Sequence, residues 1–169
     1  MIYTLADKDD LKGVSFCCGN EYIDGYFKDG KFLSDFDVVS YCFWADAKKE
    51  ELVGIASLSC SGIIIRSADQ FNITPAVEVK IFAIDERYQH KAFPEADDGG
   101  HWSDYCWYYL LNIIYDITDF SCGAGHVVLY SVKDAESFYR RQHLSSFQSL
   151  MQMPSNYVID DCVPMFLKL

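Results

Sequence analysis

Ala76-Val77-Glu78-Val79-Lys80-Ile81-Phe82-Ala83-Ile84-Asp85 is the stretch that decides the fold. Its first six residues alternate at a period of two, which predicts a strand with Glu78 and Lys80 on one face. Phe82-Ala83-Ile84 then breaks the alternation with a continuous apolar run. A strand that becomes fully buried, or bulges, at its C-terminal end has that pattern. Pro75 opens the strand, which is expected over Ala76 to Asp85. Asp85 to Trp102 has no periodicity and holds Pro94, Gly99 and Gly100, so it reads as a long loop of the kind that carries function.

Working outward, Ser103 and Asp104 are good helix starters, and Trp107, Leu110, Leu111, Ile114 and Ile117 follow at helical spacing. Gly123 and Gly125 end that region. Val127 to Ser131 predicts a short buried strand. Ser131-x-x-Asp134 has capping-box form ahead of a helix whose apolar face is Ala135, Phe138 and Tyr139. Towards the N-terminus, Ile2 to Ala6, Val38 to Ala45 and Leu52 to Ser61 read as strands, the last prolonged by Gly62 to Ala68. Asn20 caps a helix with Tyr22, Ile23, Tyr26 and Phe27 on one face. Val163 to Leu169 is a final strand. Strands interleaved with helices place the chain in the α/β or α+β class, around one mixed sheet. No repeat or linker divides residues 1–169, so a single domain is expected.

Composition narrows the function. The 169 residues are 50% hydrophobic and 16% aromatic, ample for a packed core. Net charge is −11, which argues against a nucleic-acid backbone or an anionic membrane as partner. An anionic ligand needs a local nest of donors. Met1 to Thr4 has no leader pattern and no apolar stretch is long enough to span a bilayer, so a cytoplasmic protein is expected. The seven cysteines form no C-x-x-C pair and read as reduced thiols. His90, His101, Asp97 and Asp98 match no metal-ligand spacing, so no metal is expected.

Several motifs, in order, resemble the GNAT family of N-acetyltransferases. Phe82-Ala83-Ile84-Asp85-x-x-Tyr88-Gln89 is similar to that family's strand end, and Phe138-Tyr139-Arg140-Arg141 to its helix signature. Phe16-Cys17-Cys18-Gly19-Asn20-x-x-Ile23-Asp24, Leu52 to Ser59 and Val163 to Leu167 are similar to segments of a bacterial branch that includes toxin-like acetyltransferases. The resemblance covers nearly the whole chain. It implies a single domain with a mixed, mostly antiparallel sheet flanked by helices and splayed after the fourth strand. It also implies acetyl transfer from acetyl-coenzyme A to an amine.

Site residues follow by position. The backbone of Phe82, Ala83 and Ile84 would bind the pantetheine arm. Gln89, His90, Lys91 and Ala92, with Ser103 and Asp104 at the next helix start, would cradle the pyrophosphate. Ser131, Phe138 and Arg141 would complete the cofactor side. Tyr139 matches the family's general acid, and as a core aromatic it would be a plain helix-face residue. Glu78 is a candidate base, or else an outward residue paired with Lys80. Arg140 reads as a solvated helix residue. The family loop runs straight into its helix with two glycines. Here Ala92 takes the first glycine position, which requires a negative φ, and Pro94 takes the second without an N–H. An acidic insertion with Glu95, Asp97 and Asp98 follows. His143 stands where the helix signature has glycine, altering the turn after it.

Three functions remain open on the sequence. The first is an acetyltransferase for an amine-bearing acceptor, which the acidic surface suggests is cationic. The second is a toxin acetylating aminoacyl-tRNA, with an antitoxin protein as partner. The third is a non-catalytic relative with a degenerate loop. A homodimer is compatible with all three.

Overall fold

The computed structural model describes residues 1–67, 70–97, 99–147 and 162–169. Seven strands form one mixed sheet in the order β1-β2-β3-β4-β5-β7-β6. They are β1 (Ile2–Leu5), β2 (Val39–Trp44), β3 (Leu52–Ser67), β4 (Gln70–Ile84), β5 (His126–Val132), β6 (Ser145–Ser146) and β7 (Cys162–Lys168). The helices are α1 (Glu21–Lys28), α2 (Lys31–Ser34), α3 (Trp102–Phe120) and α4 (Glu136–Arg141). Pairing is antiparallel for β1–β2, β2–β3, β5–β7 and β6–β7, and parallel for β4–β5. The expected mixed sheet with flanking helices is what the chain builds. No helix among the described residues is long and apolar enough to cross a membrane.

Two compact units share these elements. The first, Met1–Leu58 with Ile81–Asp116, holds β1, β2 and the start of β3. One face of its strands presents Cys42, Trp44, Ile55, Ile81 and Ala83 to Phe32 of α2, with Ile23, Tyr26 and Phe27 of α1 packed around them. On the other face Phe43 meets Phe82 at 6.4 Å between ring centroids, and Phe82 meets Trp107 of α3 at 5.3 Å. Asn20 caps α1 as its sequence position predicts, its side chain accepting from the amides of Tyr22 and Ile23. Gly54 is required by close approach. A Cβ there would lie 2.8 Å from the Ala83 carbonyl oxygen and 2.8 Å from Ile84 Cδ1. Gly54→Ala is therefore expected to cost about 2–3 kcal/mol, as a lower urea midpoint with unchanged slope.

The second unit is Ser59–Lys80 with Ile117–Leu169. Its parallel ladder pairs Ala76–Val79 with His126–Leu129. Among the described residues that ladder ends at Val79↔Leu129, and β4 runs on to Ile84 beyond it. Val77, Val79, Val127, Leu129 and Met165 are buried on one face.

Two sequence expectations need correction, and one helix had no expectation at all. Strand β4 starts at Gln70, so Pro75 lies inside it. The Pro75 carbonyl accepts from Gly125 N–H, just ahead of β5, so the missing proline N–H falls before the first ladder pair, where no partner strand needs it. The capping box at Ser131 does not form. Ser131 is still in β5, opposite Val163, and its hydroxyl donates to Val132 O; Lys133–Ala135 makes a 3₁₀ turn before α4. The short helix α2 had no sequence signal. Ala68 and Asp98 lie outside the described residues.

Candidate functional site

Asp85 ends the deciding strand and organises the first unit around it. Its side chain is 4% exposed and bonds Arg87 Nε at 2.7 Å. It also accepts from the backbone N–H of Arg87 and of Cys17. Burial pushes the Asp85 carboxyl up, but these donors outweigh it and hold it below the usual carboxylate range. Glu86 N–H donates to Cys17 O, and Asp24 accepts from Cys18 N–H at 2.7 Å. The Phe16-to-Asp24 motif is thereby latched onto the end of β4. Burial pushes the Cys18 thiol up to about 12, past the opposing effect of a backbone N–H. It is no nucleophile.

Gln89 belongs to the same latch. Its side-chain amide donates to Cys18 O at 2.9 Å and to Ile84 O at 2.8 Å, and its backbone N–H donates to Asp85 O. All its donors are engaged, which corrects its expected role as a phosphate donor. Ala83 is corrected too. Its carbonyl faces Gly54 of β3, so strand alternation turns the backbone of Phe82 and Ile84, not Ala83, to the opposite edge.

The loop after Gln89 resolves the problem posed by Pro94. Phe93 N–H donates to Gly100 O at 2.8 Å and Trp102 N–H to Lys91 O at 3.1 Å. Between them Ala92 and His101 form an isolated antiparallel bridge. The acidic insertion is thus closed off by its own two-stranded stem, and Lys91 passes laterally to Trp102 at the start of α3. Phe93 meets Trp102 edge-on at 4.7 Å and Tyr105 at a tilt at 4.3 Å, and Tyr88 meets Trp102 at 4.9 Å. Phe93 and Trp102 are buried, so the stem has a core of its own. Tyr88 also hydrogen-bonds Glu51.

The positive φ demanded by the turn has moved to His90 (57°), and Ala92 has none. Backbone N–H groups of His90, Ala92 and Ser103 have no partner among the described residues. Lys91 is exposed beside them. The expected Asp104 amide is already engaged, donating to His101 O at 3.0 Å, and the Asp104 carboxylate accepts from His101 N–H at 2.9 Å. The sequence-expected donors that remain are His90, Lys91, Ala92 and Ser103. A pyrophosphate fits such a set, since it takes backbone N–H groups and a helix N-terminus.

In the second unit, Tyr139 of α4 is buried, and burial raises its phenol above the usual tyrosine range. Its ring meets Phe138 at 5.1 Å. The Arg141 guanidinium stands over Phe138 at 5.8 Å. Arg140 pairs with Glu136, as a solvated helix residue does. His143 takes φ 66°, keeping the left-handed turn that the family signature assigns to glycine. Ser131 is buried and its hydroxyl donates to Val132 O. Glu78 is half-buried and has no hydrogen bond or ion pair among the described residues, Lys80 included. Sequence reasoning missed Asp85 and Arg87. Asp85 and Arg87 lie within the Phe82-to-Gln89 motif, but their partners are 68 residues away in the chain at Cys17 and 72 at Ser15. No group of three or more metal-binding side chains occurs among the described residues.

No protein-family model and no curated protein matches the chain. Solved structures do. A bacterial toxin superposes with a TM-score of 0.70 at 19% identity, over 99% of this chain and 90% of that one. AtaTR bound with acetyl-CoA gives 0.70 at 13% identity, over 99% and 92%. AtaT complexed with acetyl-methionyl-tRNAfMet gives 0.67 at 15% identity, over 99% and 94%. At these identities the likeness is one of fold, and it spans nearly the whole chain.

Proposed function

We propose that this chain, which has the fold of those toxin acetyltransferases, acts as a single domain over residues 1–169 and moves acetyl from acetyl-coenzyme A to an amine. One observation carries the proposal: the stem at Ala92 and His101 closes the insertion out and brings Lys91 directly to the start of α3. The chain interrupted by the insertion is thereby brought back together at its base, which supports a cradle there. Acetyl-coenzyme A supplies the acyl group and a sulfur leaving group. The residues supply the rest. Unengaged amides of His90, Ala92 and Ser103, with Lys91, hold the phosphates. The end of β4, from Phe82 to Ile84, runs alongside the extended arm. The Glu78 carboxylate takes a proton from the acceptor ammonium, because only the neutral amine attacks. The buried Tyr139 hydroxyl donates to the departing sulfur.

Isothermal titration with acetyl-coenzyme A tests this. Binding in the micromolar range is expected, and Phe93→Ala, which removes the core of the stem, should weaken it roughly tenfold, or 1.4 kcal/mol. No heat at millimolar cofactor would overturn the proposal.

A second proposal, transfer to aminoacyl-tRNA with an antitoxin as partner, is favoured by two observations. Neighbouring structures include a toxin with that acetylated tRNA and a KacTA–DNA complex. The charge objection also weakens when the chain is divided. The first unit holds eight Lys and Arg against eighteen Asp and Glu, net −10; the second holds six against seven, net −1. The acidity sits almost wholly with the cofactor cradle's unit. The unit of Glu78 and Tyr139 is near neutral, so it does not repel a polyanion as the whole-chain figure suggests. Charging tRNA with radiolabelled amino acids and following acetyl transfer separates this proposal from one restricted to small amines.

A further inference from the structure

Helix α1 packs in the first unit without fully burying any of its residues. Phe27 meets Phe16 at 5.1 Å and Phe32 at 5.7 Å between ring centroids, yet of the three only Phe32 is fully buried. Beside them a cavity of about 940 Å³ opens between α1, α2 and residues 8–17. Leu11, Val14, Phe16, Phe27 and Leu33 give it apolar walls. Protein interiors leave few voids larger than a water molecule, whereas apolar clefts of this volume with a few polar groups hold small molecules.

Gly25 gives the cavity part of its room. It lies inside α1, lines the cavity, and a Cβ there would meet nothing within 4 Å. Glycine weakens a helix interior relative to residues that carry a side chain. Here no close approach and no positive φ requires it. What the missing side chain preserves is open space.

Charge selects the occupant. Lys8, Lys12 and Lys28 line the cavity, are exposed, and make no ion pair among the described residues. Elsewhere in this unit Lys31, Lys49 and Arg87 are each paired with an aspartate. Three carboxylates also line the cavity. Asp24 is engaged by Cys18 N–H and by the Cys17 thiol. Glu21 stands in the first turn of α1, where the positive end of the helix compensates it. That leaves Asp9 against three ammonium groups.

We propose that this cavity binds an amphipathic monocarboxylate, with its apolar chain against Phe16 and Phe27 and its carboxylate among Lys8, Lys12 and Lys28. The site shares no residue with the cofactor cradle and does not depend on the acetyltransferase proposal. Its wall includes Cys17 and Asp24 of the latch, so an occupant stabilises the segment that holds Asp85 and Gln89.

The test is a methyl NMR titration with sodium decanoate below its micelle concentration. Sodium butyrate and decyltrimethylammonium bromide are the controls for chain and charge. Shifts at Leu11, Val14 and Leu33 should saturate with decanoate, and both controls should bind at least about tenfold more weakly. Combining Lys8→Gln, Lys12→Gln and Lys28→Gln should weaken decanoate binding about tenfold at low salt, since exposed charges contribute little singly and are screened. Gly25→Leu fills the space, and is expected to raise the urea midpoint of the free protein and abolish the decanoate shifts. The lysine variant changes only exposed side chains, so it carries the test if Gly25→Leu fails to fold. Silent methyls, equal affinity for decanoate and decyltrimethylammonium, or undiminished decanoate binding in either variant would overturn the proposal. So would shifts of the same methyls with protein concentration alone, which would mark a second copy as the occupant.

Discussion

Tyr139→Phe lowers turnover by about a hundredfold or more while acetyl-coenzyme A affinity stays within about twofold, when transfer and isothermal binding are measured on the same preparation. The ring remains to fill its buried place beside Phe138, so the fold is kept and only the hydroxyl is lost. The size of the effect follows from the energetics of the leaving group. A thiolate on its ordinary scale is protonated near pH 8.5, well below a buried phenol. Complete proton transfer from Tyr139 would then run uphill, and its main contribution is a hydrogen bond that strengthens as charge grows on sulfur. The burial that raises the phenol also raises a thiolate forming in the same surroundings, which narrows the gap. Because burial holds the phenol protonated, its ionisation adds no basic limb to the rate profile below about pH 10. Turnover unchanged in Tyr139→Phe would remove the residue from the mechanism.

Asp85→Asn should produce the largest loss of stability. The carboxylate is 4% exposed and receives bonds from Arg87 and from the amides of Arg87 and Cys17. Bonds to a charged acceptor are worth about 1.5–3 kcal/mol each, and an amide oxygen keeps only part of that. A net loss of about 3 kcal/mol at pH 7 is expected in urea unfolding. The pH dependence has a fixed sign. Asp85 is held below the usual carboxylate range in the folded chain, so its contribution is fully present above the unfolded value near 4 and is lost as pH falls through the lower folded value. The difference between wild type and Asp85→Asn should therefore be constant from pH 5 to 8 and shrink below pH 4. A difference that persisted unchanged at pH 2.5 would show that the carboxylate's charge is not what stabilises the latch.

Local pattern carried much of the architecture. The alternation from Val77 to Ile81 predicted which side of β4 is buried, and Trp107, Leu110 and Ile114 predicted the inner face of α3. Asn20 announced a cap it does form. What stayed hidden depends on residues far apart in the chain meeting in space. Nothing in Ala92 or His101 says that they pair, and the local signal there is that of a loop interrupted by Pro94. Gln89 looked like a ligand donor because its partners, Cys18 and Ile84, cannot be inferred from its own neighbourhood. Ser131 failed in the opposite way: its local signal for a cap was good, but the β5–β7 ladder claimed the residue first.

The stem at Ala92 and His101 also makes the segment between them a splice point. Chain added or removed between Phe93 and Gly100 hangs from two backbone hydrogen bonds and an aromatic anchor, so its length is uncoupled from the geometry behind it. Evolution can lengthen, shorten or recharge that excursion as an independent cassette. An experimenter can do the same, placing a fluorophore or an epitope beside the cradle without cutting into it.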